Sequence, residues 1–360
     1  MADKEVTIYG AGMSGLIAAI NLAREGYAIT VHDREPAFGG SRIFNPSLHT
    51  TPLDVQQTSD YIGIDLKSVF QPLIACPSYF HDLKVMFPVK GVYAVERGDR
   101  PTSLDTLLYG MCKDLGVEFA WGSRLDKETL EHLPPRTIIA CGLIPSSYDL
   151  LEIPYLKWEA WMASGSIDIG TFAWLWWDEG INEYGYFTSA NGMYFDMLFS
   201  IGKAVDKQCL RRYEEFMVRM EGIEHHDWRY IVGATPIAKP DNPRLFWRDA
   251  VLCGTITGSI DPMLGFGISG ALVTGKVAAL AITDRAKAEA EFKRFNRLFR
   301  LSYYFKHRLW WKYIRPQVGL MERTLRLVGP DNVEKLGNLA ADGKLPIVSA
   351  IPGFSFMSCH

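Results

Sequence analysis

Near the start of the chain the apolar pattern changes period twice. Val6 to Tyr9 is apolar but for one threonine and reads as a buried strand. Leu16, Ala19, Ile20 and Ala23 then recur at helical intervals, and Ala28 to His32 returns to strand character before Asp33. Gly10, Gly12 and Gly15 stand between strand and helix in G-x-G-x-x-G spacing, with Met13 and Ser14 inside the motif. Each glycine has a separate task in such a unit. Gly10 permits the tight turn, Gly12 lets a pyrophosphate approach the backbone, and Gly15 lets the helix lie close on the sheet. The phosphate charge then sits at a helix N-terminus, and Asp33, about twenty residues beyond the glycines, is placed to take the hydroxyls of an adenosine ribose.

Further along, residues 92–125 read as strand, arginine-bearing loop, amphipathic helix and strand, and 137–147 as a buried strand ending in Cys141-Gly142. Residues 147–237 are rich in aromatics, and the alternation from Tyr184 to Ser200 predicts strands of a sheet. Aromatics at this spacing are more often core than cofactor box. A sheet lined by them without an obvious charged recognition residue still suits an apolar, elongated substrate.

Composition narrows the picture. The 360 residues, 48% hydrophobic and 22% charged, suit a globular protein of two or three domains, and a net charge of −3 argues against a nucleic-acid partner. The first strand follows Met-Ala-Asp-Lys directly and no apolar run reaches spanning length, so a cytoplasmic protein is expected. The six cysteines form no C-x-x-C pair and read as free thiols. His225-His226, beside acids, reads as solvated, and no metal site is expected.

The stretch DREPAFGG, with Asp33, Arg34, Gly39 and Gly40, resembles the FAD-binding start of the flavoprotein family that includes p-hydroxybenzoate hydroxylase and the geranylgeranyl reductases. Two later stretches extend the resemblance. Ala140-Cys141-Gly142 stands where that family ends a strand in Ala-x-Gly. Residues 249–282 look like its second flavin motif, with Gly254, Asp261-Pro262 and Gly265-Phe266-Gly267-Ile268 in place. One position departs: the acid usual after the strand glycine is Thr255. The resemblance implies an α/β fold with a Rossmann-type FAD-binding domain, built from 1–65, 91–146 and 238–284. An inserted α+β substrate domain would come from 66–90 and 147–237, and a C-terminal helical segment from 285–360. It implies FAD as cofactor, held by these residues together with Arg42 and an arginine just ahead of the amphipathic helix of 92–125, for which Arg97 is preferred over the nearby Arg100.

Within that family the pattern is most similar to the geranylgeranyl reductase branch, through Pro236, Lys239 and Pro240 and, more loosely, Tyr184 to Phe187. The branch's cysteine in the loop after the glycine pair is missing, since residues 41–52 read SRIFNPSLHTTP. The implied reaction reduces carbon-carbon double bonds of an isoprenoid or other apolar lipid, by hydride from flavin N5 and a proton from a site residue or water. His49, in a loop near the flavin, is the preferred proton donor, with Tyr184 or Tyr186 second. Two alternatives stand beside it: a monooxygenase of an aromatic or polyketide substrate using NAD(P)H and oxygen, and a non-redox cyclase of the lycopene cyclase type. Electrons would come from NAD(P)H or a ferredoxin-like donor.

Between 284 and 315 ten Lys/Arg stand against three acids, interleaved with aromatics. That segment reads as peripheral membrane contact through 292–315, as a docking face for an acidic electron carrier, or as a helix capping the substrate domain. The apolar end, 343–360, is expected to fold back over the substrate mouth.

Overall fold

A computed structural model describes residues 4–341 except 226. The first strand, Glu5–Tyr9, lies inside a six-stranded sheet in the order Phe246–Trp247, Ala250–Leu252, Thr137–Ile139, Glu5–Tyr9, Ala28–Asp33, Glu118–Trp121. All pairings are parallel except at the edge, where Phe246–Trp247 runs antiparallel. Thr137–Ile139 and Ala250–Leu252 are buried throughout, whereas along Glu5–Tyr9 and Ala28–Asp33 the buried Val6, Ile8, Ile29 and Val31 alternate with the part-exposed Thr7, Thr30 and His32. The helices Met13–Arg24 and Ile268–Thr283 cross with very little between them: a Cβ added at Gly275 would lie 2.7 Å from the Ser14 carbonyl oxygen. This is the expected Rossmann-type α/β fold.

A second, seven-stranded sheet runs Arg229–Thr235, Leu156–Ser166, Met193–Ile201, Gly185–Ala190, Phe172–Trp177, Cys76–Phe80, Leu83–Phe87. Its alternation has a physical consequence. Along Met193–Ile201, Phe195, Met197, Phe199 and Ile201 point toward the first sheet, while Tyr194 and Leu198 pack beneath the helix Lys207–Glu221. Asp196 shares the latter face, accepting a bond from Tyr213 there, and His225 is buried beside it, its Nε2 3.2 Å from Asp196 Oδ2. The expectation of a solvated His225 is therefore wrong: its imidazole is enclosed between the rings of Tyr194 and Trp228.

A small antiparallel sheet, Ser47–Pro52, Val92–Arg97 and Phe70–Pro72, joins the two large ones. The Thr50 and Thr188 hydroxyls, 2.9 Å apart, tie it to the seven-stranded sheet. Residues 47–52 are thus strand, not loop.

The C-terminal region forms Arg285–Phe305, a π-helical stretch Lys306–Ile314, and the helices Val318–Val328 and Pro330–Ala341. Phe292 and Phe299 are buried, so this segment caps the molecule along one side while Leu301, Leu309 and Tyr313 stay exposed. Among the described residues no helix is long and apolar enough to cross a membrane. The end, 343–360, lies outside the described residues.

Candidate active site

A cavity of about 1000 Å³ opens between the carboxyl ends of the parallel strands and the inner face of the seven-stranded sheet. That is the upper end of the usual range for cofactor and small-molecule sites, and the usual place for them in open α/β sheets.

The polar end is built from glycines. Gly10 has φ of +118°, open to glycine only, and a Cβ at Gly15 would sit 2.0 Å from the Gly10 carbonyl oxygen, so Gly15 is a packing residue that never reaches the cavity lining. At Gly12 a Cβ would meet nothing within 4 Å. Gly12 and Gly267 are the N-cap residues of two helices, Met13–Arg24 and Ile268–Thr283, and neither helix has a capping side chain. Both N-termini therefore bring backbone N–H groups without a side-chain cap into one cavity, an arrangement suited to phosphate and to an electron-rich ring edge.

Met13, Ser14, Asp33, Arg34, Gly40, Arg97, Cys141 and Gly142 complete this end. Asp33 accepts from the Ala11 amide at 2.6 Å and the Glu35 amide at 2.8 Å, bracing the glycine turn while keeping spare lone pairs on the cavity side. Arg97 forms a two-point ion pair with Asp105, Nε to Oδ2 at 2.6 Å and Nη2 to Oδ1 at 2.8 Å; burial works to lower its pKa, and the Asp105 carboxylate beside it outweighs this and raises it. Arg100 turns away to the Asn191 carbonyl. Burial pushes the Cys141 thiol up to about 12, so it stays protonated. Gly39 lies behind the lining, its carbonyl held by the Asn45 side-chain amide. Arg42 is the misplaced expectation: exposed and outside the lining, it extends from a turn that points it to solvent.

From the second motif Gly254, Thr255, Asp261, Gly265, Gly267 and Ile268 line the cavity. Asp261 shapes the loop by accepting from the amides of Leu264 at 2.7 Å and Met263 at 3.1 Å. Burial pushes its carboxyl up to about 6 against these amides, which favour the ionised form.

The other end is apolar, walled by Trp158, Met162, Leu175, Trp177, Phe195 and Phe199 with Trp310 from the C-terminal segment. His49 and Tyr186 meet between the ends, Tyr186 Oη 3.4 Å from His49 Nδ1. His49 Nε2 is 2.9 Å from Ser47 Oγ, whose hydroxyl donates to Asn45 Oδ1 at 3.0 Å. This chain assigns a neutral imidazole protonated at Nε2 and accepting at Nδ1. Burial, with a smaller push from Arg97 against the pull of Asp105, lowers its pKa to about 3. Burial raises the Tyr186 phenol, with Asp196 adding to it. Tyr184 donates to the Leu264 carbonyl, on the loop that follows Asp261.

Sequence reasoning missed Asp105, Asn45 and a cluster of Glu183, Lys306, Trp311 and Arg315. Lys306 and Arg315, two of the ten cations of 284–315, are both buried.

Residues 8–52 match the model of an NAD(P)-binding Rossmann-like domain. Among solved structures the chain is similar to HpxO of Klebsiella pneumoniae in complex with FAD, at TM-score 0.60 and 15% identity over 97% of this chain and 99% of that one. The chain has the fold of the FAD-dependent oxidoreductases. The two uncapped helix N-termini and the open space at Gly12 fit a dinucleotide cofactor such as the FAD of that neighbour. A geranylgeranyl bacteriochlorophyll reductase-like protein of Thermoplasma acidophilum gives TM-score 0.59 at 15% identity over 93% of this chain and 90% of that one. The p-nitrophenol 4-monooxygenase PnpA of Pseudomonas putida gives 0.60 at 12% identity over 93% and 97%. Fold likeness thus does not separate reductase from hydroxylase. Among curated proteins, flavin-containing monooxygenase FMO GS-OX2 of Arabidopsis thaliana is 36% identical over 73 residues, 20% of this chain. The chain spans 15% of that relative's length.

Proposed function

We propose that this flavin-dependent oxidoreductase reduces carbon-carbon double bonds of an isoprenoid or another elongated, apolar substrate. The observation that carries the reading is the apolar end of the cavity, where aromatic and methionine side chains form the walls and the charged pair present, Lys306 and Glu183, is satisfied internally. FAD, when bound, supplies the hydride; the protein's own residues do the rest. The aromatic wall binds the chain and excludes water. Tyr186 holds the proton at Oη that the second carbon takes, and the neutral His49 keeps that hydroxyl oriented by accepting from it. This reverses the preference for His49, because an imidazole whose pKa is about 3 carries no acidic proton at neutral pH. Exposed Leu301, Leu309 and Tyr313 beside Arg300, Arg308 and Lys312 support peripheral membrane contact, which suits a lipid substrate.

A monooxygenase using NAD(P)H and oxygen is the second reading, favoured by the equal fold likeness to PnpA. Reduced holoprotein assayed first anaerobically and then with oxygen separates them. Dithionite-reduced holoprotein mixed with geranylgeranyl diphosphate should reoxidise and yield product heavier by two hydrogens per double bond. Reoxidation by oxygen alone, with oxygen incorporated into an aromatic substrate, would establish the monooxygenase instead.

Tyr186→Phe is expected to slow anaerobic reoxidation about a hundredfold, the usual weight of a positioned acid, with FAD content unchanged. Reoxidation as fast as wild type removes Tyr186 from the mechanism. His49 also gives a stability signature. Its folded pKa lies below the unfolded value, so its contribution is complete above pH 6.5 and is lost as pH falls from there toward 3. Urea midpoints at pH 7.5 and pH 5 should therefore drop less for His49→Gln than for wild type.

A further inference from the structure

The ten cations between 284 and 315 do not all face outward. Lys306 and Glu183 are 1% and 2% exposed, and Lys306 Nζ donates to Glu183 Oε2 at 2.8 Å and to the Met263 carbonyl at 2.9 Å. Trp311 Nε1 donates to the other Glu183 oxygen at 2.8 Å. Arg315 donates from Nε to the Glu183 carbonyl and from Nη2 to the Asp178 carbonyl, each at 2.8 Å. The π-helical turn explains how Lys306 and Trp311 reach one carboxylate. They are five residues apart, which matches the five-residue hydrogen bond from the Arg315 amide to the Trp310 carbonyl. Wide turns of this kind are rare and recur at functional sites.

Met263 belongs to the loop 261–267, which lines the cavity and leads into the uncapped helix Ile268–Thr283. Asp261 fastens that loop from within, Tyr184 holds Leu264 from just ahead of the strand Gly185–Ala190, and Lys306 holds Met263 from the C-terminal region. We propose that Lys306 is a positioning residue for the FAD site: through Met263 it holds the 261–267 loop in its cofactor-accepting shape, which makes the C-terminal π-turn a working part of that site. The inference rests on FAD as the cofactor.

The test compares wild type, Lys306→Met, and the double variant Lys306→Met/Glu183→Gln, which removes both buried charges together and so avoids leaving Glu183 uncompensated. Three quantities are read: thermal midpoint of the apoprotein, Kd for FAD, and midpoint potential of bound FAD. The double variant should keep the apoprotein midpoint within a few degrees, bind FAD about tenfold more weakly, the worth of one hydrogen bond from a charged donor, and shift the potential. Wild-type Kd and potential in that variant overturn the proposal. If neither variant folds, hydrogen exchange on the wild type decides. Added FAD should slow exchange at 306–314 as well as at 10–16, and slowing at 10–16 alone overturns it. Wild type that takes up no FAD overturns the cofactor assignment and this inference with it, an outcome distinct from the other two.

Discussion

Gly15→Val is expected to yield a colourless protein. The substituted Cβ would lie 2.0 Å from the Gly10 carbonyl oxygen and 3.3 Å from the Ala140 Cβ, and Gly10 is itself pinned, since a Cβ there would fall 2.4 Å from the Ala140 carbonyl oxygen. Neither backbone can yield alone, so the helix Met13–Arg24 must lift from the sheet, carrying its N-terminal amides away from the cavity. Overpacking of this kind costs about 1–3 kcal/mol or more. Gly12→Ala is the contrasting case. Its methyl meets no protein atom within 4 Å, so stability should stay near wild type while FAD is lost, because the new methyl occupies cofactor space. The ratio of flavin to protein absorbance and the thermal midpoint distinguish the two variants. Full flavin content in Gly15→Val would contradict the close-packing argument.

Asp105→Ala is expected to destabilise the fold by about 3 kcal/mol, the lower end for a buried pair, since it leaves the Arg97 guanidinium, 17% exposed at the cavity wall, without its carboxylate. Asp105 is fully buried and accepts from Arg97 twice and from the Gly98 amide at 3.0 Å. The reverse variant, Arg97→Met, leaves a carboxylate that still has the Gly98 amide, so it should cost less. Urea unfolding of both apoproteins measures the difference. Equal losses would mean that the Gly98 bond does little to hold Asp105.

The glycine cradle was legible in the sequence because its determinants are local. Gly10, Gly12 and Gly15 answer to the turn immediately around them, and the alternation in 193–201 depends only on which face of one strand is buried. Partners distant in the chain were not legible. Residues 47–52 look like a polar loop until Val92–Arg97 pairs with them, His49 opposite Val95. Lys306 and Arg315 add the same charge to a count whether they face solvent or Glu183. A single acid beside Tyr184 gave no sign that it would gather Lys306, Trp311 and Arg315 from more than a hundred residues away. Asp33, by contrast, could be placed at the cavity, but its bond to the Ala11 amide belongs to the folded turn alone.

The interleaving of the two large sheets has a consequence for the order in which a ribosome makes the chain. Cys76–Phe80 waits for Phe172–Trp177 before it has its parallel neighbour, and Thr137–Ile139 waits for Ala250–Leu252. At about 5–20 residues per second, each early strand stays unpaired on that side for on the order of ten seconds. The glycine turn is synthesised about 250 residues ahead of the helix Ile268–Thr283 that crosses its own helix. A cofactor therefore meets a complete site only once Ile268–Thr283 has been made, and until then the nascent chain carries open strand edges, a window in which chaperone contact matters most.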